Sequence, residues 1–354
     1  MLTLPSLCIG ISITLAAIPV GLEPPAEWGE RVTWEDEGPE AREHASVMQF
    51  GDNVVLYAGS GYEPQMSPLS DAWVYDVGQQ SWQMLQTDGD VPAGGGSMRV
   101  ARTDQSNEAY LFGGYDGRFV CNNELYRATY NEDTLTFERI EQINAPSPRA
   151  LHAFVFDPKS ERFIVTLGVS HQGFRGDAWL GEFNEDGAVV WNEINSESAP
   201  SPRFGFAYGF DSETGLLVLF SGQLEAASGN QMPMASDVWT LNTRAKSPGW
   251  SQVSIPEGIE GRRNPCFAFD DVNDRLAVWC GTADARSNVD GVVWIERDDE
   301  SWKLTQAEEG QCPPKRSSGF GFADPKTGDI IIGFGNSASG RYQDWVTLLR
   351  GDSN

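Results

Sequence analysis

The chain has 354 residues, 40% of them hydrophobic, and carries 25 Lys and Arg against 51 Asp and Glu, a formal net charge of −26. So negative a field disfavours nucleic acid and anionic membrane surfaces as partners. The 38 Gly and 20 Pro suit many short strands joined by turns, the pattern of an all-β protein.

Residues 1–22, "MLTLPSLCIGISITLAAIPVGL", contain no charged side chain. This matches the apolar region of a signal peptide, although the positive n-region is missing. The run is a little short for a membrane span. We expect a secreted, periplasmic or extracellular protein, with an uncleaved membrane anchor as the rival reading. Cys8 follows "PSL", which lacks the small residue expected just before a lipidated cysteine.

The rest of the chain repeats. Apolar runs end at Gly59, Gly114, Gly168, Gly222, Gly281 and Gly335, stepping by 55, 54, 54, 59 and 54 residues. After each glycine comes an aromatic on a short strand: Trp73, Tyr126, Trp179, Trp239, Trp294 and Trp345. Asp71, Asp177, Asp237 and Asp344 stand one or two positions before four of these. A second aromatic, Trp82, Phe137, Trp191, Trp250 or Trp302, closes each of the first five units. Each unit reads as four short strands, and a four-stranded period near 50 residues marks a propeller array.

The stretches "PSPRALHAFVF", "IVTLG" and "GDAW", with their echoes over roughly residues 28–349, resemble kelch repeats of the galactose oxidase/kelch-like superfamily. The resemblance implies a six-bladed kelch-type β-propeller whose aromatics fill the space between blades. The usual double glycine is complete only at Gly113 and Gly114. The sixth unit stops short, while "EWGERVTWEDEGPEAR" near the N-terminus reads as an orphan fourth strand. The last blade is therefore expected to be closed by an N-terminal strand, which removes an open edge. The organisation read from the repeats is an apolar segment 1–22 and a propeller over 23–349. Its repeats lie near 39–90, 91–145, 146–198, 199–260, 261–311 and 312–349 plus 27–38, before a tail at 350–354.

One positive feature recurs against the acidic background. Arg42, Arg149, Arg203, Arg262 and Arg316 precede the first strand of their units, four of them 19 residues before the glycine; the second unit has Gly95 there, with Arg99 nearby. Two readings are open. The arginines ring a channel mouth and bind an anionic carbohydrate or peptide through their planar forks, or they brace neighbouring blades through Asp, Glu and carbonyl groups. The loops after each glycine vary most and are where a rigid scaffold places specificity. Tyr62, Tyr115, Phe119, His171, Phe174, Met232, Met234 and Tyr342 are their candidate lining residues.

Beyond residue 22 the cysteines are Cys121, Cys266, Cys280 and Cys312. Cys266 and Cys280 flank the turn "DDVND", so a cross-strand disulfide and a pair of core thiols are both open. No Cys-x-x-Cys pair, His/Cys cluster or Asp-rich calcium loop appears, so neither metal nor cofactor is expected. The three histidines, His44, His152 and His171, are too few for the copper site that the superfamily resemblance raises.

The function expected is an extracytoplasmic binding module that holds an unidentified protein or anionic ligand on its loop-bearing face, with enzymatic activity disfavoured. Bacterial sialic-acid epimerases also resemble six-bladed kelch propellers, and that resemblance implies an alternative. In it a metal-free sugar-acid isomerase clamps a carboxylate with Arg149, Arg203 and Arg316, and Glu63, Glu225 or His171 carries the proton.

Overall fold

The apolar runs that end in the repeat glycines form the second strand of each unit, buried on both faces, as in Asn53–Gly61 and Arg162–Thr166. Strands flanked on both sides by other sheets read as continuous Val/Ile/Leu/Phe stretches rather than as alternation. The computed structural model describes residues 21–23, 27–29, 31–34, 37–61, 67–76, 79–226, 232–256, 258–284, 287–289, 291–298, 301–307, 315–324 and 326–349.

Among these residues the strands fall into antiparallel four-stranded units following the repeat. The first runs Ser46–Phe50, Asn53–Gly61, Ser67–Asp76 and Ser81–Gly89. The inner strands of the following units are Arg99–Arg102, Ala153–Asp157, Ala207–Asp211, Cys266–Asp270 and Phe320–Ala323. No helix occurs among the described residues. Where the inner strand turns into the second, Asp157, Asp211, Asp270 and Asp324 each accept a backbone N–H two residues on, at 3.1, 2.8, 3.0 and 2.7 Å. A short acidic side chain that caps its own turn explains this further repeating position.

The apolar core is divided into clusters, and each cluster lies between two consecutive units. Leu111 and Phe137 pack on Val55 and Leu85, Phe154 and Trp191 on Phe112, and Leu219 and Trp250 on Ile164. Val278 and Leu304 pack on Phe220, and Ile332 and Val346 on Trp279. Phe320 and Trp345 return to meet Leu56 and Tyr75 of the first unit, so the series of sheets closes on itself.

A series of backbone bonds, open between Leu151 and Ser97 among the described residues, runs around the axis. The N–H of His44 donates to Ser318, Ser97 to His44, Gly205 to Leu151, Asn264 to Gly205 and Ser318 to Asn264, over 2.6–3.1 Å. All of these residues are left-handed, with φ between 46° and 64°, which turns the chain sharply into each inner strand.

The N-terminal residues are used twice. Glu27–Trp28 and Val32–Thr33 both pair antiparallel with Asp344–Leu349, supplying the outer strand that the short sixth unit lacks. Gly21–Glu23 runs parallel to Thr305–Ala307 on the fifth unit, so Gly21 and Leu22 join a sheet rather than standing apart with the apolar segment. Residues 1–20, Tyr62, Glu63, Cys312 and the tail 350–354 lie outside the described residues. The end of the first outer strand, Gln86–Gly89, runs parallel to Thr134–Phe137 of the second unit. Gly89 is needed there: its φ is +78°, and a Cβ would sit 2.2 Å from the Phe137 carbonyl oxygen.

Cys266 and Cys280 are not joined by a disulfide. Cys266 stands opposite Trp279 in the ladder, and Cys280, one residue further on, turns out of register at φ 52°. Both are buried between the fifth and sixth units, where they act as small apolar fillers.

Candidate functional site at the axial mouth

In each unit the residue after the repeat arginine, or after Gly95, pairs with the residue after the repeat glycine. The pairs are Glu43 with Ser60, Gly96 with Tyr115, Ala150 with Val169, Phe204 with Gln223, Arg263 with Thr282, and Ser317 with Asn336. These short ladders surround the axis and bring the variable loops to one end of the sheets.

The repeat arginines sit beneath this end, not on it. Arg42, Arg149, Arg262 and Arg316 are 0% exposed and Arg203 1%. Arg42 binds Asp71 through two hydrogen bonds of 2.7 and 2.8 Å, Arg203 binds Asp237 and Arg316 binds Asp344 at 2.6 Å. Nη1 of all five donates to the carbonyl of the residue before the glycine: Ala58, Leu167, Ser221, Cys280 and Phe334, at 2.9, 3.1, 3.1, 3.4 and 3.1 Å. Those residues are left-handed, with φ of 60, 57, 68, 52 and 55°, a conformation costing a non-glycine residue roughly 1–2 kcal/mol. The arginine thus holds in place a bend that a first glycine would otherwise relieve. The geometry is that of the bracing reading, because the guanidinium groups are turned into the sheets. Burial alone would raise the carboxyls of Asp71, Asp177 and Asp237, but the arginine hydrogen bonds and charge, with Trp73, Trp179 and Trp239 donating, hold all three below the ordinary carboxylate value.

Other residues line the mouth. On the side of the sixth, first and second units, Arg341 Nη2 donates to Glu43 Oε1 at 2.8 Å and both side chains are largely buried. Tyr115 Oη lies 3.3 Å from Ser60 Oγ, with the His44 ring edge-on to Tyr115 at 6.1 Å. Desolvation lowers His44 to about 4, with Glu43 opposing and Arg99 and Arg341 adding to the shift. Burial raises Tyr115 to about 12.

On the facing wall Arg263 donates from Nη1 to Gln223 Oε1 at 2.6 Å and from Nε to Thr282 Oγ1 at 3.1 Å. Arg99 donates from Nε to the His152 carbonyl at 3.1 Å, and its guanidinium carbon lies 5.8 and 5.7 Å from the ring centres of Tyr208 and Phe267. Desolvation lowers both guanidinium pKa values. At the opposite end of the axis Arg102 of the second unit pairs with Asp271 of the fifth.

The rim carries apolar side chains. Asp116 Oδ1 accepts the N–H groups of Arg118 and Val120 at 2.8 and 3.0 Å, stiffening a loop that leaves Phe119 55% and Val120 54% exposed. Phe174 packs edge-on to Phe204 at 4.9 Å, and His171 is exposed in the turn before it. Met232 is 36% exposed and Met234 half-buried. Tyr342 lies under Arg316, 4.3 Å from ring centre to guanidinium, and donates to Ser337 Oγ at 3.0 Å, so it is a packing residue. Glu225 is exposed. Among the described residues no His, Cys, Asp or Glu cluster is arranged to hold a metal.

Sequence reading passed over Arg263 and Arg341. A signal existed for the first: it directly follows Arg262, in a slot where the other units carry Glu, Gly, Ala, Phe and Ser.

A closed ring of four-stranded antiparallel sheets, each packed face to face on the next, defines a β-propeller. The arginine clasp on the Asp-x-Trp strand narrows it further, to a propeller of the kelch type. A family model for the KLHDC2/KLHL20/DRC7 Kelch-repeats domain matches residues 24–165. Adagio-like protein 1 of Oryza sativa subsp. japonica is 26% identical over 63% of this chain and 34% of its own length. Acyl-CoA-binding domain-containing protein 5 of Arabidopsis thaliana is 29% identical over 44% of this chain and 23% of its own. The chain thus spans about a third or less of these curated relatives. The solved structure of YjhT superimposes with a TM-score of 0.64 at 15% identity, covering 90% of this chain and 98% of that one, a likeness of fold.

Proposed function

We propose that the chain is a binding module that holds a protein partner on its loop-bearing face, in an extracytoplasmic compartment. The observation that carries this reading is the exposed Phe119–Val120 pair on a loop stiffened by Asp116. Rigid aromatic and aliphatic anchors beside a polar mouth are the chemistry of protein interfaces. Kelch propellers generally serve as protein-interaction modules, which supports the same reading. The uncharged residues 1–22 support the compartment, to be checked by sequencing the N-terminus of the mature protein.

The sugar-acid isomerase has weaker support. The repeat arginines assigned to clamp its substrate are bound to aspartates, and His171 and Glu225 stand exposed rather than in a pocket. The mouth's own His44 and Tyr115 titrate near 4 and 12, far on either side of the neutral range in which acid–base catalysis is most effective.

A photo-crosslinking amino acid placed at Phe119, with a second protein carrying it at outer-strand Met84 as control, tests the reading. A partner captured in the native setting from position 119 and not from 84 is expected. Equal capture from both positions, or none from 119, would sink it.

A further inference from the structure

Arg263 differs from most guanidinium groups of the loop-bearing end, although Arg175 of the third unit's loop is likewise held by neutral oxygens, those of Ser170 and Gln172. In a chain with 51 acidic residues against 25 basic ones, Arg42, Arg149, Arg203, Arg316 and Arg341 each bind a carboxylate. Arg263 has none among the described residues. Its Nε and Nη1 are held by the neutral oxygens of Thr282 and Gln223, which fix the fork without neutralising it. Arg99 shows the same lack: a carbonyl takes its Nε, and the aromatic rings of Tyr208 and Phe267 flank it.

The two cations share one wall. Gln223 and Thr282 place Arg263 between the fourth and fifth units at the mouth. Tyr208 and Phe267 are on the inner strands of those same units, so Arg99 reaches that wall deeper along the axis. A desolvated guanidinium without a counter-charge is costly, and an acidic chain has carboxylates in plenty to pair it. We propose that this wall receives a carboxylate of the bound ligand, with Arg263 as the first contact and Arg99 beneath it. The preset fork of Arg263 suits the planar, two-oxygen geometry of that group. Arg102 and Asp271 bridge the far end of the axis, so entry is from the loop-bearing face. The inference rests on the binding-module reading and names the chemistry of its ligand; an acidic peptide side chain and a small free acid share that chemistry.

The test uses the full chain with labelled arginine, following the Arg263 Nε–Hε NMR resonance. The probes are a blocked Gly-Ser-Glu-Ser-Gly peptide and its Gln counterpart, and glucuronate and glucose. The Glu peptide or glucuronate is expected to shift the resonance while the two neutral probes do not, and whichever acid saturates at lower concentration identifies the source. In Arg263→Gln the apparent Kd of that acid, measured by calorimetry, should rise about tenfold or more, as expected for losing a charge-assisted contact. Arg263→Lys should fall between, with both variants melting as the parent does. Unchanged binding by Arg263→Gln, equal binding of the Gln peptide, or no response to either acid at millimolar concentration would overturn the site. Loss of peptide binding in Phe119→Ser but not in Arg263→Gln would leave the interaction face standing and remove the carboxylate site alone.

Discussion

The guanidinium of Arg149 grips the carboxylate of Asp177 through two parallel hydrogen bonds, Nη1 to Oδ1 at 2.8 Å and Nη2 to Oδ2 at 2.7 Å, while Trp179 donates its indole N–H to the same carboxylate at 2.7 Å. The partners are 28 residues apart in sequence and join the entry of the third unit to its third strand. Removing one side of a buried pair strands the other without compensation. Arg149→Ala is therefore expected to cost about 3–5 kcal/mol in urea unfolding. Arg162→Ala, which breaks the more exposed pair with Glu182, should cost about 0–1 kcal/mol. Equal losses would show that the clasp is no stronger than a surface contact.

Acid should act in two stages. The folded chain keeps His44 neutral down to about 4, by burial first, whereas the unfolded chain takes a proton near 6.5. The stability this represents is complete above 6.5 and drains as pH falls toward 4; His152, buried and shifted in the same direction, adds to it. Asp71, Asp177 and Asp237 have depressed values, so their contribution is present above the ordinary 3.8 and is lost only as pH falls below it. Urea midpoints measured across this range should show a gradual decline and then a steeper one. His44→Asn tolerates the left-handed backbone and removes the upper titration, so an unaltered slope between 6.5 and 4 in that variant would contradict the assignment.

Closure of the ring depends on the N-terminal strands. Trp34 lies within 5.2, 5.4 and 5.6 Å of Trp82, Phe334 and Trp345 in ring-centre distance, bridging the last unit to the first. A chain beginning at residue 37 loses Glu27–Trp28, Val32–Thr33 and Trp34, and leaves the Asp344–Leu349 strand as an unpaired edge. We expect it to lose cooperative unfolding and to aggregate in light scattering; a monomer with parental melting behaviour would show that these strands are dispensable.

The buried thiols should resist modification. Burial pushes the Cys266 thiol well above its ordinary value, and the thiolate is the reactive form. In the native protein iodoacetamide is expected to label Cys266 and Cys280 far more slowly than in urea, as read by peptide mass mapping. Rapid native labelling of either would place it outside the core.

How much of this was legible in the chain varies with the range of the interaction. The Gly168 and Trp179 slots, the orphan Trp28 strand and the count of strands per unit are local or strictly periodic, because every sheet must solve the same packing problem against its neighbour. Sequence alone therefore determined the all-β kelch architecture and the positions of its aromatics. The same pattern displayed both an arginine before each first strand and an aspartate before each tryptophan, yet not that Arg149 and Asp177 meet. That pairing depends on how the third strand folds back across the sheet. Tertiary structure alone decided that the repeated arginines face inward and that Cys266 and Cys280 stand out of register. It also decided that the non-repeating Arg263 lies at the mouth, because a charged side chain's role is set by which partners the fold brings within hydrogen-bonding reach.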